Sequence, residues 1–345
     1  MSEALSELSQ RVVRWQRSHG RHDLPWQRTR DPYHVWLSEV MLQQTQVVTV
    51  MAYFERFLQR FAQVQDLAQA PLDEVLALWS GLGYYSRARN LHACAQQVVS
   101  RFGGQFPFTE AELQTLPGIG PSTAAAIASI CFSQRAAILD GNVKRVLSRA
   151  LGFEGDLASS QQEKLLWQQA REVLPAAQDM PTYTQGVMDL GATVCISRQP
   201  RCGVCPLSSM CVAHAQNRAE AYPVKTRKLK RTSQSLWLLC ASNASGQVWL
   251  RQRPVPGVWA GLYCFELFDD PEALTSHVLA SSQGAAPVLA HQAPFKHVLT
   301  HKDLHLHAVR CVMEAPLSHA GRWFALEEAL QLGLPAPIKT MLAQW

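Results

Sequence analysis

The hydrophobic pattern changes its period once along this chain, and that change does most to limit what the chain can fold into. Through residue 215 apolar residues recur at helical spacing, and strand-like alternation is nearly absent. The spacing predicts helices over 52–61, 71–80, 86–101, 109–116, 121–133, 142–151, 159–174 and 181–195. An earlier helix opens at "DPYHVWLSEVMLQQTQVV", with Asp31 as N-cap and Pro32 in the first turn. There Trp36, Val40, Val47 and Met51 form a prospective buried stripe, while Glu39 and Gln43 share a different face. Thr45 is placed to cap a new helix, which would put Gln43 and Gln44 at a helix junction.

Beyond residue 232 the stretches "SLWLLCA", "QVWLRQR", "LYCFELF" and "LHLHAVRCVM" read as strands, divided by turns such as "SNASGQ" and "PVPG". "PEALTSHVLASS" and "EEALQLG" read as helices. Between the two regimes lies "QNRAEAYPVKTRKLKRT", basic, weakly apolar and carrying a proline. The expected organisation is a mostly α domain over 1–215, a linker over 216–232 and a smaller α+β domain over 233–345. A chain of 345 residues is long enough for separate cores of this kind.

The formal net charge of +5 is unevenly spread. Residues 196–231 hold eight Lys or Arg (Arg198, Arg201, Arg218, Lys225, Arg227, Lys228, Lys230, Arg231) against a single acid, Glu220. That excess suits a polyanionic partner, although a solvated basic linker has the same composition. The N-terminal "MSEALSELSQRVVRWQRSHG" is polar and amphipathic, and no stretch has the apolar length of a membrane helix. A cytoplasmic location is expected, where thiols stay reduced.

Cys195, Cys202, Cys205 and Cys211 are spaced C-x6-C-x2-C-x5-C in "CISRQPRCGVCPLSSMC". Four thiols within seventeen residues of a reduced protein point to a metal site. Sulfur ligation suits zinc or an iron–sulfur cluster, and spacing leaves both open. Cys94, Cys131, Cys240, Cys264 and Cys311 are dispersed and read as small core residues.

In "LPGIGPSTAAAIA" Gly118 and Gly120 flank an isoleucine just before a helix. Glycine lets the backbone take positive φ and approach a ligand, and the helix start offers free N–H groups to an anion. A nucleic-acid phosphate is the natural guest, bound without reading sequence. With helices on both sides, the stretch reads as a helix-hairpin-helix. Twenty residues beyond Gly120, Asp140 follows the apolar run Ala136–Leu139 and opens "DGNVKRVL". An isolated aspartate in that position would simply cap the next helix.

Taken together, the hairpin, "LDGNVKRVL" and the cysteine spacing resemble the endonuclease III superfamily of helix-hairpin-helix DNA glycosylases, and "SEVMLQQTQV" with "GLGYYSRARNL" narrows the resemblance to its A/G-specific adenine glycosylases. The likeness runs almost continuously through the first 215 residues. It implies a monofunctional base-excision enzyme that hydrolyses the N-glycosidic bond of adenine mispaired with 8-oxoguanine or guanine. It also implies a [4Fe–4S] cluster on the four cysteines, and a monomer whose partner is duplex DNA rather than membrane.

The resemblance makes Glu39 the general acid that protonates adenine and handles the water, and Asp140 the carboxylate that stabilises the oxocarbenium-like sugar; Asn142 orients the site. Burial among Trp36, Val40 and Met41 would raise the Glu39 pKa as that role requires. Gln43, Gln44 and Tyr84 match residues that fill or wedge the duplex, Gly118, Gly120 and Ser122 form the DNA-binding hairpin, and Trp26 resembles a residue near the base pocket. Bifunctional relatives carry a Schiff-base lysine where this chain has Ser122, which implies no strong lyase activity.

In the second half, "RPVPGVWAGLYCFEL" resembles a Nudix-like segment. "DDPEALTSHVLASSQG" lacks the glutamate-dense metal box, so no pyrophosphohydrolase activity is expected. The resemblance assigns this domain to reading the lesion, with Leu299, Thr300 and His301 in place of a Phe-Ser-His loop. His297, His301, His305 and His307 admit a metal reading, but His305 and His307 also fit one face of a solvent-accessible strand. Two alternatives remain: a same-fold glycosylase for oxidised pyrimidines, and a non-catalytic iron–sulfur DNA-binding protein.

Overall fold

Alanines decide the middle of the helical half. In the computed structural model, which describes residues 2–226, 230–282, 287–318 and 320–345, every residue from Thr123 to Ser129 is buried. Small side chains at Ala124, Ala125, Ala126 and Ala128 let neighbouring helices approach this segment closely. It belongs to one of two compact units, formed by Met1–Ala68 with Ala93–Lys228; the other joins Gln69–His92 to Leu229–Trp345. Arg227, Lys228 and Leu229 of the expected linker lie outside the described residues. No helix among the described residues is long and apolar enough to cross a membrane.

The helices in chain order are α1 (Ser2–His19), α2 (Pro32–Leu42), α3 (Val47–Arg60), α4 (Val64–Gln69), α5 (Leu72–Trp79), α6 (Ser86–Phe102), α7 (Glu110–Leu113), α8 (Pro121–Phe132), α9 (Gly141–Leu151), α10 (Ser160–Glu172), α11 (Met180–Thr193) and α12 (Val212–Ala215). Where a span was expected the helices match it to within a few residues at most ends; α1, α4 and α12 had none. α2 and α11 both pack on α8, and α11 also packs on α1 and α9. The break after α2 falls where the paired glutamines put it, but its cap differs from expectation. Gln46, not Thr45, is the N-cap of α3, without a side-chain bond. The expected stripe therefore stops at the break: Trp36 and Val40 are buried, whereas Val47 and Met51 belong to α3 and are only half-buried. In the basic segment beyond 215 Tyr222 is buried, and Leu157 N–H donates to Val224 O at 3.0 Å.

In the second unit β1 (Thr232–Ser242) runs parallel to β7 (Lys302–Val312) over its whole length. β2 (Val248–Gln252), β3 (Tyr263–Cys264), β4 (Glu266–Phe268), β5 (Ala290–His291), β6 (Phe295–Val298) and β8 (Gly321–Phe324) complete a mixed sheet by antiparallel pairing. α13 (Pro271–Ser281) brings Leu274 and Val278 onto Leu239, Trp249, Val309 and Cys311. α14 (Leu326–Leu330) and α15 (Ala336–Ala343) close the chain. Strands β5, β6 and β8 are too short for their alternation to stand out in the sequence.

Candidate active site

Asp31 caps α2, its Oδ1 accepting from Tyr33 N–H at 2.7 Å, and Pro32 supplies the first turn. Most of that helix is buried, and Glu39 projects from it into a cleft whose walls include Trp26, Gln43, Gln44, Ser122, Asp140 and Asn142. Glu39 keeps a partial opening to the cleft, yet protein surrounds its carboxyl closely enough that burial, helped by the negative charge of Asp140, raises its pKa to about 7. Gln43 ends α2, and Gln44 follows with φ of 58°, a left-handed conformation uncommon for a residue with a β-carbon. Residues held in such conformations cluster at functional sites.

The hairpin forms as the glycines require. Gly118 takes φ of 75°, Ile119 N–H donates to Leu116 O at 3.2 Å, and Gly120 caps α8 with Pro121 at its first position. Ser122 has a structural duty: its Oγ accepts from Leu139 N–H at 2.8 Å and ties α8 to the segment that delivers Asp140.

The modest reading of Asp140 and the chemical one both hold in geometry. Asp140 is the N-cap of α9, its Oδ1 accepting from Val143 N–H at 2.7 Å, and it also faces the cleft with Glu39. Burial raises its pKa, but the N–H groups of Val143 and Asn142 and the charges of Arg145 and Lys144 work against that rise. Both influences on Glu39 push its pKa upward. Burial thus raises both carboxyls, and only at Asp140 do protein donors and cations offset part of the rise.

Three wall residues were not singled out from the sequence. Arg145 Nη2 donates to Asn142 Oδ1 at 2.9 Å and to Gly191 O at 2.6 Å, while its Nε donates to Cys195 O at 2.7 Å. The one available signal was its place three residues after Asn142 on the same helix face. Arg21 and Gln185 both bond the fully buried carboxylate of Asp189, with Arg21 Nε at 2.8 Å and Gln185 Nε2 at 3.1 Å. These partners are more than 160 residues apart for Arg21, so nothing local announces them.

Cys195, Cys202, Cys205 and Cys211 line one cavity. Arg149 lies against it, nearly fully buried, donating to Ile196 O at 2.7 Å, Ser197 O at 2.9 Å and Cys195 Sγ at 3.4 Å. Among the described residues no three His, Cys, Asp or Glu side chains converge tightly enough to hold a single metal ion. Of the dispersed cysteines, Cys94, Cys240, Cys264 and Cys311 are buried as expected of core residues, and Cys131 is half-buried.

Tyr84, Thr300 and His301 belong to the second unit. Tyr84 has φ of 48°, and its hydroxyl is hydrogen-bonded to that of Thr300. Thr300 and His301 are exposed in a turn closed by Leu299 N–H to Lys302 O at 2.8 Å. His307 stacks on Trp237 with ring centres 4.5 Å apart, and His305 is exposed on β7.

Comparison with known proteins follows the same division. Residues 37–172 match the HhH-GPD superfamily of base excision DNA repair proteins, and residues 236–344 match the NUDIX domain. An adenine DNA glycosylase of Buchnera aphidicola subsp. Acyrthosiphon pisum (strain APS) is 36% identical over 342 residues, covering 97% of this chain and 96% of that protein. An adenine DNA glycosylase of Homo sapiens is 46% identical over 202 residues, covering 56% of this chain and 37% of the human one. The solved structure of a thermostable thymine-DNA glycosylase superposes with a TM-score of 0.55 at 27% identity, covering 62% of this chain and 98% of that one.

Proposed function

The chain belongs to the adenine DNA glycosylases, enzymes of base excision repair, and on that footing we propose that it removes adenine mispaired with 8-oxoguanine or guanine by hydrolysis alone. The observation that carries the mechanism is the pair of carboxyls in one cleft, both raised by burial, of which only Asp140 accepts from backbone N–H groups at a helix start. Glu39, which its raised pKa of about 7 keeps partly protonated near neutral pH, donates its proton to a ring nitrogen of the extruded adenine. The bond between C1′ and the base breaks, and its electron pair leaves with the protonated base. Asp140, whose Oδ1 accepts from Val143 N–H, faces as a carboxylate the positive charge that develops on the sugar. Water adds to C1′ and gives its proton to Glu39, leaving an abasic site and restoring the acid. Asn142, anchored through Arg145, keeps the start of α9 in register with the cleft.

Gly118, Gly120 and Ser122 receive the DNA backbone, Gln43 and Gln44 fill the duplex at the extruded base, and Thr300 and His301 read the opposite base with Tyr84 as the wedge. With serine at 122 no amine is offered for a Schiff base, so the strand is left intact.

The four thiols and the buried guanidinium beside them fit an anionic [4Fe–4S] cluster. When bound, the cluster would act as a cross-link that shapes residues 195–211, taking no part in bond cleavage.

The test is single-turnover incubation with duplexes carrying adenine opposite 8-oxoguanine, guanine or thymine. Alkali-labile abasic sites should form on the first two and not the third. Strand cleavage without alkali, or efficient borohydride trapping, would defeat the hydrolytic reading. Excision of oxidised pyrimidines in preference to adenine would favour the runner-up.

A further inference from the structure

The loop "SGLGYYSR", within the second unit, carries three positive φ angles in four residues: Gly81 at 106°, Gly83 at 72° and Tyr84 at 48°. Glycine adopts such angles freely, but tyrosine does not. Something must hold Tyr84 there, and its ring is 39% exposed, so packing against a core does not.

Arg87, one turn further on at the start of α6, is 7% exposed and lies beneath this loop. Its guanidinium carbon sits 5.4 Å from the centre of the Tyr84 ring and 5.2 Å from that of Trp79, both within cation–π range. The same guanidinium donates to Leu82 O at 3.3 Å and Gly83 O at 3.2 Å, and Trp79 Nε1 donates to Gly83 O at 3.0 Å. Arg87 N–H donates to Tyr84 O at 2.9 Å. The arginine therefore grips the tyrosine by its ring and the loop by its carbonyls. Burial draws its pKa down to about 10, which leaves it a cation at neutral pH.

A buried cation is a demanding way to support a loop, since an apolar side chain would fill the space without desolvation. What it adds is direction. A guanidinium attracts an aromatic ring to a defined height above its plane, and the planar fork fixes that plane against two carbonyls. A side chain that must enter a base stack gains most from being set before contact, because ordering it on contact would weaken binding.

We propose that Arg87 is a positioning residue that presets the Tyr84 ring for insertion into the duplex. The proposal rests on Tyr84 being the wedge, as put forward above, and the experiment separates the two ideas. Full-length Arg87→Met, Arg87→Lys, Tyr84→Ala and the double variant Arg87→Met/Tyr84→Ala are compared with wild type. The readouts are the fluorescence of 2-aminopurine placed beside the mispair, which reports unstacking, and the binding preference for the mispair over a fully paired duplex. Excision at saturating enzyme is measured alongside, with thermal unfolding to check the fold.

Arg87→Met should reduce the unstacking signal and lower the binding preference by roughly tenfold, the scale of a desolvated cation–π contact. Saturated excision should change much less, because Glu39 and Asp140 are untouched. Arg87→Lys, which keeps the charge but not the fork, should recover part of the loss and serves as the comparison if the methionine variant folds poorly. In the Tyr84→Ala background, Arg87→Met should add less than about twofold. Additive effects of the two substitutions, or an unimpaired Arg87→Met beside a defective Tyr84→Ala, would overturn the assignment of Arg87 alone. A Tyr84→Ala variant with wild-type unstacking and preference would overturn the wedge reading, and Arg87's role with it.

Discussion

Glu39→Gln should abolish excision and stabilise the protein above neutral pH. In the folded chain the Glu39 pKa stands at about 7 against an ordinary 4.5, through burial first and the charge of Asp140 second. A carboxyl whose folded pKa lies above its unfolded value binds its proton more tightly in the fold. That stabilisation is whole below about pH 4.5 and is lost as pH rises through about 7. At 1.36 kcal/mol per tenfold, full ionisation would cost about 3 kcal/mol. The opening of Glu39 to the cleft lets water screen part of this, so about 1–3 kcal/mol is expected, or roughly 3–10 °C in melting temperature.

Glutamine does not titrate, so the difference between variant and wild type isolates this one group. It should favour the variant more at pH 8 than at pH 5, read by urea or thermal unfolding at both. The single-turnover rate of the wild type should fall by roughly tenfold from pH 6 to pH 8 as the general acid ionises. Asp140→Asn removes the second cause, so the alkaline limb of its residual activity should move to lower pH. A stability difference that is the same at pH 5 and pH 8, together with a flat rate profile, would refute the reasoning.

Gly191→Ala should displace Asn142, because its β-carbon would lie 2.7 Å from Asn142 Cβ and 3.1 Å from the Asn142 carbonyl, which cannot rotate away; a loss of about 1–3 kcal/mol in stability and a clear drop in excision are expected. Ser122→Lys should introduce strand cleavage trapped by borohydride, at a stability cost of about 1 kcal/mol for the lost bond to Leu139 N–H. Purified protein should be brown with about four irons per chain, and Cys202→Ser should lose both colour and duplex affinity; full activity with zinc alone would contradict this. Removing residues 233–345 should leave excision in place while reducing the preference for 8-oxoguanine over guanine. The loop around Tyr84 then loses partners, since Leu334 O accepts from Ser80 Oγ and Tyr85 Oη at 3.1 and 2.9 Å and Ala260 O from Arg89 at 2.7 Å. Thr300→Ala with His301→Ala should mimic much of the truncation, at roughly 1–3 kcal/mol for each lost polar contact.

Local rules were enough for much of this protein. Asp31 followed by proline, the alanine run after Gly120 and the aspartate before "GNVKRVL" all mark helix starts through backbone chemistry that acts over a few residues, and the structure has them there. The grouping of the four cysteines was legible because they stand close in sequence, and they line one cavity. Short strands were not legible, because two to four residues cannot display an alternation.

Tertiary structure alone decided how distant groups act on one another. Glu39 and Asp140 lie a hundred residues apart, and the fold both buries Glu39 and brings the charge of Asp140 to it, which together raise its pKa to about 7. Arg145 is tied to the first cysteine, and Arg21 to Asp189, by side chains whose partners no window of sequence contains. The grouping of residues 69–92 with the C-terminal sheet was equally out of reach. Their helical pattern says that one face must be covered, but the hydrophobic effect is non-directional and does not say by what. That choice is made by shape and by a few polar contacts, such as Asp73 with Gln252 and Tyr263, which exist only once the chain is folded.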